Sequence, residues 1–157
     1  MALAHVPVAH AALLIRKPIA EVFEAFVDPS NTTKFWFSKS SGRLEAGKQV
    51  QWDWEMYGSS VPVDVKVVEP SRRIVLDWGP AGAATTVEWL FSKRADDFTF
   101  IDITNSGFTG TDDEQVQKAL DSATGFTLVL AGLKAWLEHH IELNLVPDRH
   151  PDLIVKR

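Results

Sequence analysis

The sequence predicts an α+β domain in which one antiparallel sheet packs against one long C-terminal helix. Three observations carry this. From Ser41 to about Phe108 apolar residues recur with period two, as in strands with one buried face. The links between these runs, such as "EPSR" and "GPAGA", are too short for parallel crossovers, which need a dozen or more residues. From Thr111 the period turns helical and stays so to about Leu143, roughly 45 Å of helix at 1.5 Å per residue. With 157 residues, 45% of them hydrophobic and 24% charged, the chain fits a single domain around one core. That core is expected over about residues 9–144, with 145–157 as a C-terminal tail.

The opening residues are rich in Ala and Leu but lack a basic lead. His5, Pro7 and His10 interrupt the apolar run, and Arg16 and Lys17 follow it, so a signal peptide is not expected. Ala9 to Arg16 reads as the first strand. Pro18 opens a helix where its missing N–H costs least, and Ile19, Val22, Phe23, Phe26 and Val27 give its apolar stripe. Asp28-Pro29 ends that helix, and Ser30 is expected to cap a second short one running into Phe35, Trp36 and Phe37.

In the meander that follows, Val50, Trp52, Trp54 and Met56 alternate with Gln51, Asp53 and Glu55, and Val63, Val65 and Val67 alternate with Asp64 and Lys66. Ile74, Leu76 and Trp78 flank Asp77 at the same period, and Val87, Trp89 and Phe91 flank Glu88. In the last strand Ile101 and Ile103 are assigned inward, because Asp102 shares the parity of Phe98 and Phe100. Thr111 with Glu114 is a capping-box signature, and Val116, Leu120, Ala123, Phe126 or Thr127, Leu130, Leu133, Leu137 and Ile141 make one long stripe along the helix. Gly125 and Gly132 interrupt it, each at about 1 kcal/mol relative to alanine, so close backbone approach or a kink must offset the cost.

Composition excludes several chemistries. Without cysteine there is no disulfide, thiol nucleophile or cysteine-ligated metal, and no cofactor is expected. A net charge of −5 with dispersed basic residues gives no footprint for nucleic acid. No apolar run reaches the roughly 20 residues of a membrane span, and cytoplasmic residence is the default. His139 and His140 are adjacent and diverge by about 100° on a helix, so they read as helix-end residues and not as a metal pair. Asp53, Glu55, Asp64, Asp77 and Glu88 share the outward parity, which makes them a solvated face with cross-strand pairs to Lys66 and its neighbours.

The inward aromatic row, opposite a helix thinned by two glycines, describes either a filled core or an apolar concavity. Trp36, Trp52, Trp54, Met56, Val65, Trp78, Trp89, Phe91, Asn105, Phe126 and Leu130 are the residues expected to line the concavity. Tyr57 and Thr85 join Asn105 as its candidate polar groups.

Family likeness sharpens the alternatives. The stretch "IRKPIAEVFEAFVDPSNTTKFWF" resembles the N-terminal signature of the START-like SRPBCC superfamily, a strand leading into a proline-started helix and then a tryptophan. "GFTLVLAGLKAWLEHH" is similar to that superfamily's C-terminal helix, with Phe126 where tryptophan is commoner. Together with "RLEAGKQVQWDW" and "VVEPSRRIVLDW", the chain is most similar to the branch named as homologues of the heat-shock-protein ATPase activator. The resemblance runs from about Ala12 to His140. It implies the helix-grip fold: a strongly bent antiparallel sheet of about seven strands, two short helices after the first strand, and the last helix packed across the sheet. It also implies a cavity between sheet and helix that binds a small hydrophobic or aromatic ligand. The alternatives are a cyclase- or hydrolase-like enzyme using Tyr57, Asn105 or a mouth carboxylate in that cavity, and a co-chaperone-type interaction module. The last helix is apolar nearly all round, so its flank at Val129 and Trp136 is covered either by the short helices and tail or by a second copy in a homodimer.

Overall fold

The computed structural model of the chain describes residues 3–80 and 82–155. Strand β1 (Ala9–Ile15) leads into α1 (Ile19–Val27) and the single-turn α2 (Pro29–Thr32). Then come β2 (Lys39–Ser40), β3 (Gln49–Trp54), β4 (Ser59–Glu69), β5 (Arg73–Trp78), β6 (Thr85–Lys93) and β7 (Thr99–Ser106). Helix α3 spans Asp112–His139 and a short α4 spans Leu145–Arg149. The seven strands form one antiparallel sheet in the order β1-β7-β6-β5-β4-β3-β2. Every neighbouring pair from β2 to β7 is consecutive in the chain, as the short links require. Only β1 is placed by a distant partner, pairing along β7 from Ala9 opposite Asn105 to Ile15 opposite Thr99.

Parity sets the core. Ile74, Leu76, Val87, Trp89, Ile101 and Ile103 are all fully buried on one sheet face. Phe98 and Phe100 turn outward, where Arg16 and Arg94 lie over their rings. The alternation fails at two places. A bulge between Val65 and Val67 shifts the register of β4 on β5, so Val68 lies opposite Ile74 and packs inward while Val67 does not. At Trp54 the backbone leaves the extended region (φ −110°, ψ 83°) for a 3₁₀ turn, Glu55–Tyr57, so Met56, half-buried, packs against the core from that turn and not as a fourth strand residue of the row.

Two terminal details differ from expectation. Asp28, not Ser30, caps α2, its carboxylate accepting the Ser30 N–H at 3.0 Å. Pro29 occupies the first helical position, which its ring suits, and this moves the cap to the residue before it. The capping box at Thr111 and Glu114 is present, but α3 stops at His139, about a turn before Leu143. His140 takes a left-handed conformation (φ 55°), and its N–H and that of Ile141 close the helix on Trp136 O and Ala135 O. The chain beyond folds back onto the domain. Val155 N–H reaches Met56 O at 2.8 Å, and the Tyr57 hydroxyl donates to the carbonyls of Val146 and Pro147.

The C-terminal half of α3 is fastened to the end of β1. Glu138, with a side chain only 8% exposed, accepts the Arg16 N–H at 2.9 Å and the Lys134 ammonium at 2.7 Å, and Lys134 also donates to Leu14 O at 3.0 Å.

Candidate functional site

The middle of the space between sheet and helix is full. Trp36 enters it from the segment after α2, its ring centroid 4.8 Å from Trp52, 5.7 Å from Trp78, 5.9 Å from Trp89 and 5.7 Å from Phe126. Phe37 stacks on Trp52 at 4.7 Å, and Phe26 packs on Trp89 and Phe91. These offset and edge-on contacts are the arrangements aromatic rings prefer. Trp52, Trp54, Val65, Trp89, Phe91 and Leu130, expected on a cavity wall, are therefore buried within the packed core and do not line the open cavity. The reason is the "FWF" segment: its rings occupy the concavity that strand parity alone leaves empty. Met56 lies instead at a small recess of about 120 Å³ beside Gly132 and Leu143–Pro147.

Open space begins where Trp36 ends. A cavity of about 480 Å³ lies between the N-terminal half of α3, the β5–β6 hairpin, the end of β7 and the folded tail. Of the residues expected at the wall, Trp36, Trp78, Asn105 and Phe126 are there, as are Tyr57 and Thr85. Together with Phe108 they give it five aromatic rings, and the surface facing the space is nearly all carbon. Its volume falls within the roughly 300–1,000 Å³ of small-molecule sites.

The two glycines of α3 have different environments. A Cβ at Gly132 would come within 3.2 Å of Phe35 Cβ and 3.3 Å of Phe35 O, so this glycine permits close approach of the preceding chain. A Cβ at Gly125 would meet nothing within 4 Å, and Gly125 lines the cavity.

The polar groups of the wall form one short chain. Asn105, 2% exposed, donates through Nδ2 to Thr85 Oγ1 and Thr86 O, both at 2.9 Å, and accepts the Ser122 hydroxyl at 2.7 Å. Every polar atom of its amide is thus bonded, as burial demands. The Tyr57 proton is committed to the tail carbonyls, and burial holds this phenol above its ordinary range. The carboxylates of the outer sheet face remain outside the cavity: Glu88 pairs with Arg73 at 2.7 Å, and Asp77 accepts from Thr86 and faces Lys66 at 3.8 Å. Among the described residues no group of three or more His, Asp or Glu could hold a metal ion.

Sequence reasoning did not find Lys118, Asp121 and Ser122 of α3, or Val146, Arg149 and His150 of the tail, all of which lie at the cavity. A signal existed for part of this set, because Lys118, Ser122 and Phe126 are four residues apart and so share a helix face. None existed for the tail, whose course depends on two left-handed residues, His140 and Asn144. The tail and the short helices also cover the flank of α3. Val129 is 2% exposed and turned to the cavity, and half-buried Trp136 lies against Asn31 and Lys34.

A seven-stranded antiparallel sheet holding one long C-terminal helix, with two short helices after the first strand, is the helix-grip fold of the START-like superfamily. Within it, the chain belongs to the family described as activator of Hsp90 ATPase homolog 1-like protein, whose model matches residues 16–138. No curated protein matches. Among solved structures, the protein SSP2350 from Staphylococcus saprophyticus is 30% identical with a TM-score of 0.76, over 87% of this chain and 95% of that one. The Aha1 dimer from Colwellia psychrerythraea superposes with a TM-score of 0.72 at 17% identity, covering 84% of this chain and 96% of that one. DynU16, from the dynemicin biosynthetic locus, does so with a TM-score of 0.75 at 21% identity, over 87% of this chain and 49% of that one. Among the described residues no helix is long and apolar enough to cross a membrane.

Proposed function

We propose that this chain binds a small hydrophobic, predominantly aromatic molecule in the cavity beside the N-terminal half of α3, in the cytoplasm. One observation carries the proposal: a space of about 480 Å³ whose wall is nearly all carbon and presents Trp36, Tyr57, Trp78, Phe108 and Phe126. Left to water, such a wall costs free energy in proportion to its apolar area, and an apolar ligand recovers it. Binding is favoured over turnover because Asn105 and Tyr57, the two groups the sequence offered for polarising a carbonyl, are already used. The Asn105 amide is saturated by Thr85, Thr86 and Ser122, and the Tyr57 proton is held by the tail.

The test is a titration with phenylnaphthylamine, an uncharged fluorescent aromatic, read by its emission and by quenching of the tryptophans. Saturable one-to-one binding at micromolar concentration is expected. No saturable binding, together with no apolar compound carried through purification in native mass spectrometry, would overturn the proposal.

A further inference from the structure

Resting on the reading of the cavity as an apolar ligand site, we infer that the ligand is an aromatic acid, its ring system inside the cavity and its anionic group at the rim between Lys118 and Arg149. The charges around the opening carry this inference. The chain as a whole is acidic, with 21 Asp and Glu against 16 Lys and Arg. Among the residues lining the cavity the balance is reversed: two bases, Lys118 and Arg149, stand with one acid, Asp121, and His150 adds a further nitrogen donor.

These groups are not consumed in structural pairs. Among the described residues neither Lys118 nor Arg149 has a carboxylate within 4 Å. Lys118 donates to Thr109 O at 2.8 Å, which uses one of its three N–H bonds and leaves two. Asp121 accepts from Gln117 one turn back at 3.0 Å. An arginine fork without a carboxylate, beside an apolar chamber, matches a planar carboxylate in two-point contact. Inside, the five rings favour a flat aromatic body over an acyl chain, since stacked and edge-on ring contacts add to simple burial. Thr85 supplies a further polar contact within the wall, because its oxygen accepts from Asn105 and its own proton is not donated within the described residues.

The test compares anilinonaphthalene sulfonate with phenylnaphthylamine, which share an aromatic body and differ in the anionic group. Naphthoate and decanoate serve as competitors. In the wild type the sulfonate is expected to bind about tenfold tighter than the uncharged probe, as one well-placed charge-assisted contact allows. In the double variant Lys118→Gln with Arg149→Gln that ratio should collapse to about one. Should that variant fold poorly, the same ratio in the wild type, measured as sodium chloride is raised from about 0.05 to about 0.5 M, gives the answer, because screening weakens the anion alone. Naphthoate should displace the probe more strongly than decanoate. Binding of neither probe would sink the cavity reading itself. Binding of both with a ratio near one in the wild type, or one indifferent to charge removal and salt, would overturn the anionic group and leave the cavity standing. Stronger displacement by decanoate would overturn the aromatic body.

Discussion

Gly125 offers the sharpest test of the cavity. An interior helical glycine costs about 1 kcal/mol relative to alanine, and nothing approaches Gly125 closely enough to justify it. Gly125→Ala should therefore stabilise the fold by about 1 kcal/mol, or about 2–4 °C in Tm for a chain of this size. Gly132→Ala is the internal control. The same gain in propensity is opposed by contacts of 3.2 and 3.3 Å to Phe35, and overpacking of that kind costs about 1–3 kcal/mol, so the net change should be zero or destabilising. A longer side chain at position 125 extends into the space instead. Gly125→Leu places four carbons where a ligand would lie, and at about 0.8 kcal/mol per buried methylene this forfeits ~3 kcal/mol of binding, more than a hundredfold in Kd for a ligand that fills the site. Chemical denaturation measures the first effect and phenylnaphthylamine titration the second. A Gly125→Leu variant that folds with wild-type stability and binds the probe undiminished would refute the assignment of the cavity as the binding site.

Tyr57→Phe should loosen the tail at a cost of about 1–2 kcal/mol, the range of one or two neutral hydrogen bonds, seen as faster amide exchange at Val155. Because burial raises the Tyr57 pKa in the folded state, its contribution is complete below about pH 10 and is lost as pH rises through the folded value, so wild-type Val155 protection should fall at high pH while that of Tyr57→Phe changes less. At Glu138 burial pushes the pKa up, but the Arg16 N–H and the Lys134 ammonium outweigh it and hold the carboxyl below its ordinary range. Its contribution is then complete above about pH 4.3 and is lost as pH falls through the lower folded value. Glu138→Gln should destabilise by about 1–3 kcal/mol at neutral pH, and the difference from wild type should narrow on acidification in urea melts.

Most of the fold was legible because its signals are local and periodic. Alternation fixed the inward face of β5, β6 and β7, and a capping box fixed the start of α3. The departures come from backbone states that a hydrophobic pattern does not encode: the bulge at Val65, the turn at Trp54 that removes Met56 from the row, and the left-handed His140 that ends α3 early. The site was legible in half. Parity told which tryptophans point inward, but whether inward means wall or filling depends on where the "FWF" rings of the α2–β2 connection go. Trp36 and Phe37 fill the centre, and this long-range packing has no period to betray it.

The seven-residue spacing of Gly125 and Gly132 then acquires a physical meaning. Seven residues are nearly two turns, so both glycines lie on much the same face of α3, about 10.5 Å apart along its axis. At Gly132 that face is pressed against Phe35, at the foot of the aromatic filling, while at Gly125 it is bare toward the cavity. One helix face therefore serves a closely packed half and an open half, and Trp36, touching Phe126 and lining the cavity, stands between them. On the proposed reading, a ligand beside Gly125 has Trp36 as its inner limit, because deeper space is filled by the core around Trp52 and Trp89. That inner limit is the physical basis for proposing a compact aromatic body over a long extended chain.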